Sequence, residues 1–184
     1  MHEIRWHGRG GQGAVTSAKI LADAAFRSGF AGVTSQPSFG AERRGAPITA
    51  STRLADEPIR ILSQVTAPDI IVVLDDSLLA VANATAGMKP GGMVVVNTTR
   101  GAAELGLRDD LKVVTSDVTG AAQAVDLIVG GQPMVSTAIL GAFARATGLI
   151  TMESVEAAIR HAFSGSAADK NVDAAKIAFE CTRA

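Results

Sequence analysis

The residues whose types and spacing suggest chemistry fall in two short loops. The first lies in "WHGRGGQGAVTSAKIL", where Gly8, Gly10, Gly11 and Gly13 surround Arg9 and Gln12. Gly8, Gly10 and Gly13 satisfy G-x-G-x-x-G. Only a backbone in tight or left-handed geometry, or one needing close access to a ligand, accepts so much glycine. Such a loop can approach a phosphate, and the free N–H groups at the start of a following helix favour an anion. Arg9 adds a cation and Gln12 an amide. The same glycines also suit a tight turn that binds nothing, with Gly13 only letting helix and strand pack closely. From the loop alone both readings stay open. The second half of a dinucleotide fingerprint is missing. About 20 residues on, where a carboxylate would meet the ribose, the chain reads "VTSQPS". This weakens a nicotinamide reading and leaves a general anion site.

The second loop is "SQPSFGAERRGAP", Ser35 to Pro47. Pro37 and Pro47 stiffen its ends, and Gly40 and Gly45 allow bends. Arg43 and Arg44 are adjacent, so they cannot share one face. One can pair with Glu42 or another acid while the other points outward, where a guanidinium grips a phosphate or carboxylate bidentately. The alternative is a solvated charged loop or a salt-bridge anchor between subunits. Phe39, set beside Gly40 and near Glu42, favours a docking surface, and these three residues are expected at an interface.

Both loops need a scaffold. "EIRWHG" alternates as a strand, and Ala14 to Arg27 reads as a helix whose polar stripe is Lys19, Asp23 and Arg27, ending at Gly29. "GVTSQPS" and "APITASTRLA" are rich in β-branched residues, and "DEPI" reads as a hairpin turn into "IRILSQV". "PDIIVVLDD" is nearly continuous Val and Ile, as in a central parallel strand buried on both faces. "SLLAVANATAG" suits a helix with Ser77 near its start. "KPGGMVVVNTT" and "LKVVTSDV" supply further strands. Beyond Asp117 the chain turns helical through "QPMVSTAILGAFARATG", "TMESVEAAIRHAF" and "NVDAAKIAFECTR", with Thr151, Glu153 and Ser154 fitting a helix start. The expectation is one α/β domain over residues 1–184: a three-layer α/β/α, Rossmann-like fold with a mainly parallel sheet and a helical C-terminus.

Other polar residues carry weaker signals. His7 suits a structural hydrogen bond better than a ligand contact, and no two histidines have metal-ligand spacing. Asp75 and Asp76 end a buried strand, where α/β ligand sites gather, but capping the next helix is the favoured reading. Asn97, Thr98 and Thr99 end the next strand and suit the same crevice or a polar turn. Trp6 reads as core or interface.

Composition narrows the class. Apolar residues are 47% of the chain, charged residues 19%, and mean hydropathy is +0.26. So low a charge density suggests a surface partly reserved for other subunits. A net charge of −1 gives no field for nucleic acid or an anionic membrane. The lone Cys181 cannot hold an iron–sulfur cluster, which usually takes four thiolates. No apolar run approaches the roughly 20 residues of a membrane span, and Glu3, Arg5 and His7 break any signal-peptide pattern. A cytoplasmic protein is expected.

"IRWHGRGGQGAVTSAKILADAA" followed by "PSFGAERRGAPITASTRLADEPIR" closely resembles the gamma subunit of 2-oxoacid:ferredoxin oxidoreductases. The likeness runs on through "SQVTAPDIIVVLDDSLL" and "GQPMVSTAILGAFARATGL", nearly the whole chain. Ser136 departs from it, standing where "NTAMLGAF"-like members have asparagine. The resemblance implies a subunit of a complex that oxidatively decarboxylates a 2-oxoacid, pyruvate first among candidates, with coenzyme A. The products are an acyl-CoA, carbon dioxide and reduced ferredoxin. Thiamine diphosphate, Mg2+ and iron–sulfur clusters belong, on this view, to catalytic alpha and beta chains and a delta-type chain. This chain, which has no "GDG"-type motif and no proton-transfer site of its own, is inactive alone and assists CoA binding and assembly. Gly8 to Gly13, with Arg43 or Arg44, are the expected contacts for the ligand's charge. A stand-alone nucleotide-binding oxidoreductase and a purely structural interaction subunit are the alternatives.

Overall fold

The computed structural model describes residues 1–37, 44–61 and 63–183. The chain begins with β1 (His2–Arg9), α1 (Ala14–Arg27), β2 (Gly32–Pro37) and β3 (Pro47–Ala55). It continues through β4 (Ile70–Val73), α2 (Leu78–Val81), β5 (Met93–Asn97), a 3-10 turn at Ala102–Leu105 and β6 (Lys112–Ser116). There follow α3 (Val118–Ala124), the short strands β7 (Ile128–Val129) and β8 (Gln132–Pro133), and helices α4 (Val135–Thr147), α5 (Met152–Ala162) and α6 (Gly165–Cys181).

Six strands form one sheet in the order β2-β3-β1-β4-β5-β6. Strands β1, β4, β5 and β6 are mutually parallel, and β3 runs antiparallel to both β1 and β2. Strand β2 therefore points the same way as β1, and only β3 is reversed. This is the mainly parallel α/β sheet expected. Its direction has a consequence for the two loops. The ends of β1 and β2 and the start of β3 all lie at the rim where the parallel strands terminate.

The two faces are covered unequally. Helices α1, α3, α4, α5 and α6 pack over the face carrying Ile4, Trp6, Ile70, Val72 and Val95. The opposite face, with Ile71, Val73, Val94 and Val96, is covered by Leu78 of α2, Ala84, Met88 and the segment around Leu105 to Leu111. All four residues of β4 are buried, as a strand with both faces covered requires. Trp6 is core: its ring stacks on Phe143 at 6.1 Å, and its Nε1–H donates to Thr52 Oγ1 at 3.0 Å. The α4–α6 contact is close enough that a methyl at Gly141 would sit 1.8 Å from the Ala175 carbonyl oxygen.

Several local expectations need correction. The "IRILSQV" segment adds no strand among its described residues. The sheet ends at β2 and β6 without it, and Pro58, just before the segment, withholds a backbone donor. The helix expected over "SLLAVANATAG" is a single turn, and Asn83 takes a positive φ of 44° that ends it. The β7–β8 hairpin, turning on Gly130 and Gly131, interrupts a stretch read as wholly helical. Among the described residues no helix is long and apolar enough to cross a membrane.

Candidate functional site

Chain direction brings the two loops together. Gly10 forms a parallel bridge with Arg44; its N–H donates to the Ala46 carbonyl at 2.8 Å, and its carbonyl accepts from the Gly45 N–H at 3.0 Å. Gly8, Arg9, Gly10, Gly11, Gln12, Gly13 and Arg44 thus occupy one rim. Phe39, Gly40, Glu42 and Arg43 lie outside the described residues.

The two described arginines have different roles. Arg9 Nε donates to Asp75 Oδ2 at 2.9 Å, Nη2 to Ser77 Oγ at 2.7 Å, and Nη1 to the Gly45 carbonyl at 3.1 Å. Its guanidinium is a strut joining β1, the turn after β4 and the base of the second loop. Arg44 is exposed, and its side chain has no partner among the described residues.

Asp75 anchors the strut. Besides Arg9 it accepts from Gln12 Nε2 at 3.3 Å, from the Ser77 N–H at 3.1 Å and from the Ser77 hydroxyl. Partial burial alone pushes this carboxyl up. Hydrogen bonds from Ser77, Arg9 and Gln12 outweigh that and hold it below the usual carboxylate range. The aspartate therefore both shapes the turn before α2 and pins the glycine loop. Gln12 completes the loop by accepting the Arg9 N–H at 2.8 Å.

The glycines also divide by role. Gly8 and Gly10 are buried, whereas Gly11 is exposed. A methyl on Gly13, at φ 84°, would lie 2.7 Å from Ser136 Cβ, so this residue is glycine because α1 and α4 meet there. Gly11, at φ 97°, has nothing within 4 Å of such a methyl and opens to solvent.

Beside the loop, a crevice of about 400 Å³ opens over the ends of β4, β5 and β6. Gln12, Asp75, Asp76, Asn97, Thr98 and Asp117 are among its lining residues. Asp76 accepts from Thr98 Oγ1 at 2.8 Å, and Asp117 caps α3 through the Gly120 N–H at 2.8 Å. Asn97 ties the Leu74 carbonyl to Thr119. Of its three carboxylates, Asp75 pairs with Arg9 at 2.9 Å and Asp76 lies 4.0 Å from an Arg100 nitrogen.

His7 lies under the loop, buried, with Nε2 accepting from Arg5 Nε at 3.1 Å. Burial, reinforced by the Arg5 charge, lowers its pKa to about 4. It is a neutral acceptor, the structural role expected of it. Cys181 closes α6, with its sulfur 3.4 Å from Ser116 Oγ. One thiol does not fit the four-thiolate donor set of a cluster.

Reading the sequence missed Ser77 and Asp75 as the partners of Arg9. The available signal was an acid at the end of a strand that parallels β1. It also missed the junction of α4 with the glycine loop, for which local sequence holds no signal.

Comparison with known proteins agrees with this architecture. The family described as pyruvate ferredoxin/flavodoxin oxidoreductase matches residues 3–181. The pyruvate/ketoisovalerate oxidoreductases common subunit gamma of Thermococcus kodakarensis is 52% identical, covering 99% of this chain and 97% of its own. Pyruvate synthase subunit PorC of Methanothermobacter marburgensis is 49% identical, covering 98% and 97%. The crystal structure of pyruvate oxidoreductase subunit PORC from Thermotoga maritima superposes with a TM-score of 0.83 at 33% identity, covering 99% and 97%. The chain belongs to the pyruvate ferredoxin/flavodoxin oxidoreductase family, as a subunit of its gamma type.

Proposed function

We propose that this chain serves a thiamine-dependent 2-oxoacid:ferredoxin oxidoreductase, acting on pyruvate, by helping to bind coenzyme A and to complete the complex. The observation that carries the reading is the pairing of Gly10 with Arg44. It sets an exposed guanidinium, unpartnered among the described residues, beside an open glycine loop. CoA is polyanionic, and a guanidinium meets a phosphate through two parallel hydrogen bonds. Pyruvate as substrate follows from the names borne by the relatives at 49% and 33% identity.

Redox chemistry is assigned here to other chains, a division supported by the single cysteine of this one, since a cluster usually takes four thiolates. Thiamine diphosphate with Mg2+ would supply the electron sink for decarboxylation, and clusters would carry electrons to ferredoxin. Alpha and beta chains and a delta-type chain are the expected holders. The residues here bind and position; none is offered a proton to move.

Reconstitution by omission tests this. The purified chain alone should give no pyruvate-dependent dye reduction. Restoring it to the other subunits should lower the KM for CoA or allow assembly. A subcomplex without it that assembles and shows the same CoA dependence contradicts the reading.

A further inference from the structure

We infer that the β7–β8 hairpin is a tongue by which this chain docks, between two apolar walls, onto the chain that holds thiamine diphosphate. The choice of partner rests on the CoA reading; the tongue rests on burial and backbone geometry.

The hairpin stands clear of its own domain. Successive residues of a strand point to opposite faces, and here Ile128 is 47% exposed and Val129 62%. Neither face of the ribbon is therefore packed against this chain. Among the described residues the other exposed large apolar side chains, Met1, Phe26, Ile61 and Val81, are single in sequence, which is ordinary at a surface. Two adjacent ones on opposite faces of one ribbon suit a slot that closes from both sides. No charge interrupts Ile128 to Pro133, which reads Ile-Val-Gly-Gly-Gln-Pro, and interface cores are likewise depleted of charge.

The tongue is preset in shape. Ile128 pairs with Pro133 and Val129 with Gln132. Gly130 and Gly131 take φ of 57° and 77°, matching a two-residue turn with both central residues at positive φ. At the base Leu127 is buried in the core, and its carbonyl accepts the Met134 N–H at 2.9 Å. Lys170 Nζ donates to the Asp126 carbonyl at 2.9 Å and to its carboxylate at 3.0 Å. So short a ribbon gains little from its own faces in water, whereas a fixed shape lowers the ordering cost of binding. Strand addition is a poor fit: each strand has two residues, and Pro133 withholds a donor. Recognition falls to the side chains.

Position names the partner. Met134, which closes the hairpin, is also the residue before α4, and Ser136 of α4 abuts Gly13 of the glycine loop. The tongue thus springs from beside the loop whose Gly10 bridges to Arg44. CoA held there must bring its thiol to an adduct on thiamine diphosphate in another chain. That chain has to close over this rim, where it meets the tongue.

The test titrates this chain into a complex assembled without it and reads affinity by calorimetry. The double variant Ile128→Ser, Val129→Ser should bind roughly tenfold to a hundredfold more weakly. Its thermal unfolding should match the native chain, since both side chains already lie in water. Phe26→Ser, which removes an equally exposed apolar side chain elsewhere, should bind as the native chain does. Unchanged affinity in the double variant, or an equal loss in Phe26→Ser, would overturn the tongue. With Gln132 replaced by p-benzoylphenylalanine, irradiation of the assembled complex should join this chain to the thiamine chain. Joining only to a different chain, or to none, would overturn the partner. If the crosslink forms while Arg44→Ala leaves the KM for CoA unchanged, the docking stands and the CoA reading falls. If the crosslink is absent while that KM rises, the docking falls alone.

Discussion

Arg9 Nε lies 2.9 Å from Asp75 Oδ2, and this one ion pair links the glycine loop after β1 to the turn after β4. The rest of the guanidinium is spent on Ser77 and the Gly45 carbonyl. Arg9 is therefore a structural cation, although the sequence offers it as an equal of Arg44. Both side chains keep about a quarter of their surface in water (29% and 24%), so screening limits the pair to about 1 kcal/mol. A double-mutant cycle on Arg9→Ala and Asp75→Asn should return a coupling of about that size, seen as a fall in Tm of roughly 2–4 °C. Arg9→Lys should behave nearly as Arg9→Ala, since one ammonium cannot span the three acceptors. Full stability in Arg9→Ala would contradict the strut.

His7 makes stability depend on pH. Its pKa is lowered to about 4 in the fold, against 6.5 when unfolded. Between these values the unfolded chain binds the proton and the folded chain does not, so unfolding becomes easier as pH falls. The contribution is full above pH 6.5 and is lost progressively down to about 4. At roughly 1.4 kcal/mol per unit it amounts to about 3 kcal/mol. His7→Gln, which keeps an acceptor without the titration, should flatten the stability profile across that window. An unchanged slope would show that other groups set it.

The α4–α6 contact should tolerate no added methyl. With the Ala175 carbonyl oxygen 1.8 Å from the position a side chain would take, Gly141→Ala must push the helices apart. A loss of about 3 kcal/mol is expected, at the upper end for overpacking, measured by denaturant unfolding. Gly148→Ala is a different case: the constraint there is a φ of 64°, with open space around the residue, so the cost should be nearer 1 kcal/mol.

Much of this architecture is readable from local pattern, and the failures have a common cause. Helix α1 spans Ala14–Arg27 as its polar stripe implies, and Asp23 does pair with Arg27. Thr151 accepts the Ser154 N–H at the start of α5, as the threonine and its neighbours suggest. Burial of all of β4 follows from an unbroken Ile-Ile-Val-Val run. What failed depends on distant partners. β-Branched residues at Ile59 and Ile61 join no strand, because pairing is decided by the rest of the sheet and not by local propensity. The reversal of β3 between β1 and β2 is likewise a matter of topology. In the site, glycine spacing marks the loop, but it does not tell which glycine faces α4 and which faces water. That distinction between Gly13 and Gly11 needs Ser136, more than a hundred residues away. Nor does sequence tell Arg9 from Arg44, since the acid that claims Arg9 comes from the turn after β4.

The central claim is that Arg44, not Arg9, offers free positive charge to CoA at the rim both share. The KM for CoA of the assembled complex carrying Arg44→Ala tests it most directly. Loss of one partly solvated guanidinium–phosphate contact should raise that KM roughly fivefold to tenfold, with pyruvate KM and kcat at saturating CoA preserved. A fully assembled Arg44→Ala complex with unchanged KM for CoA would contradict the account.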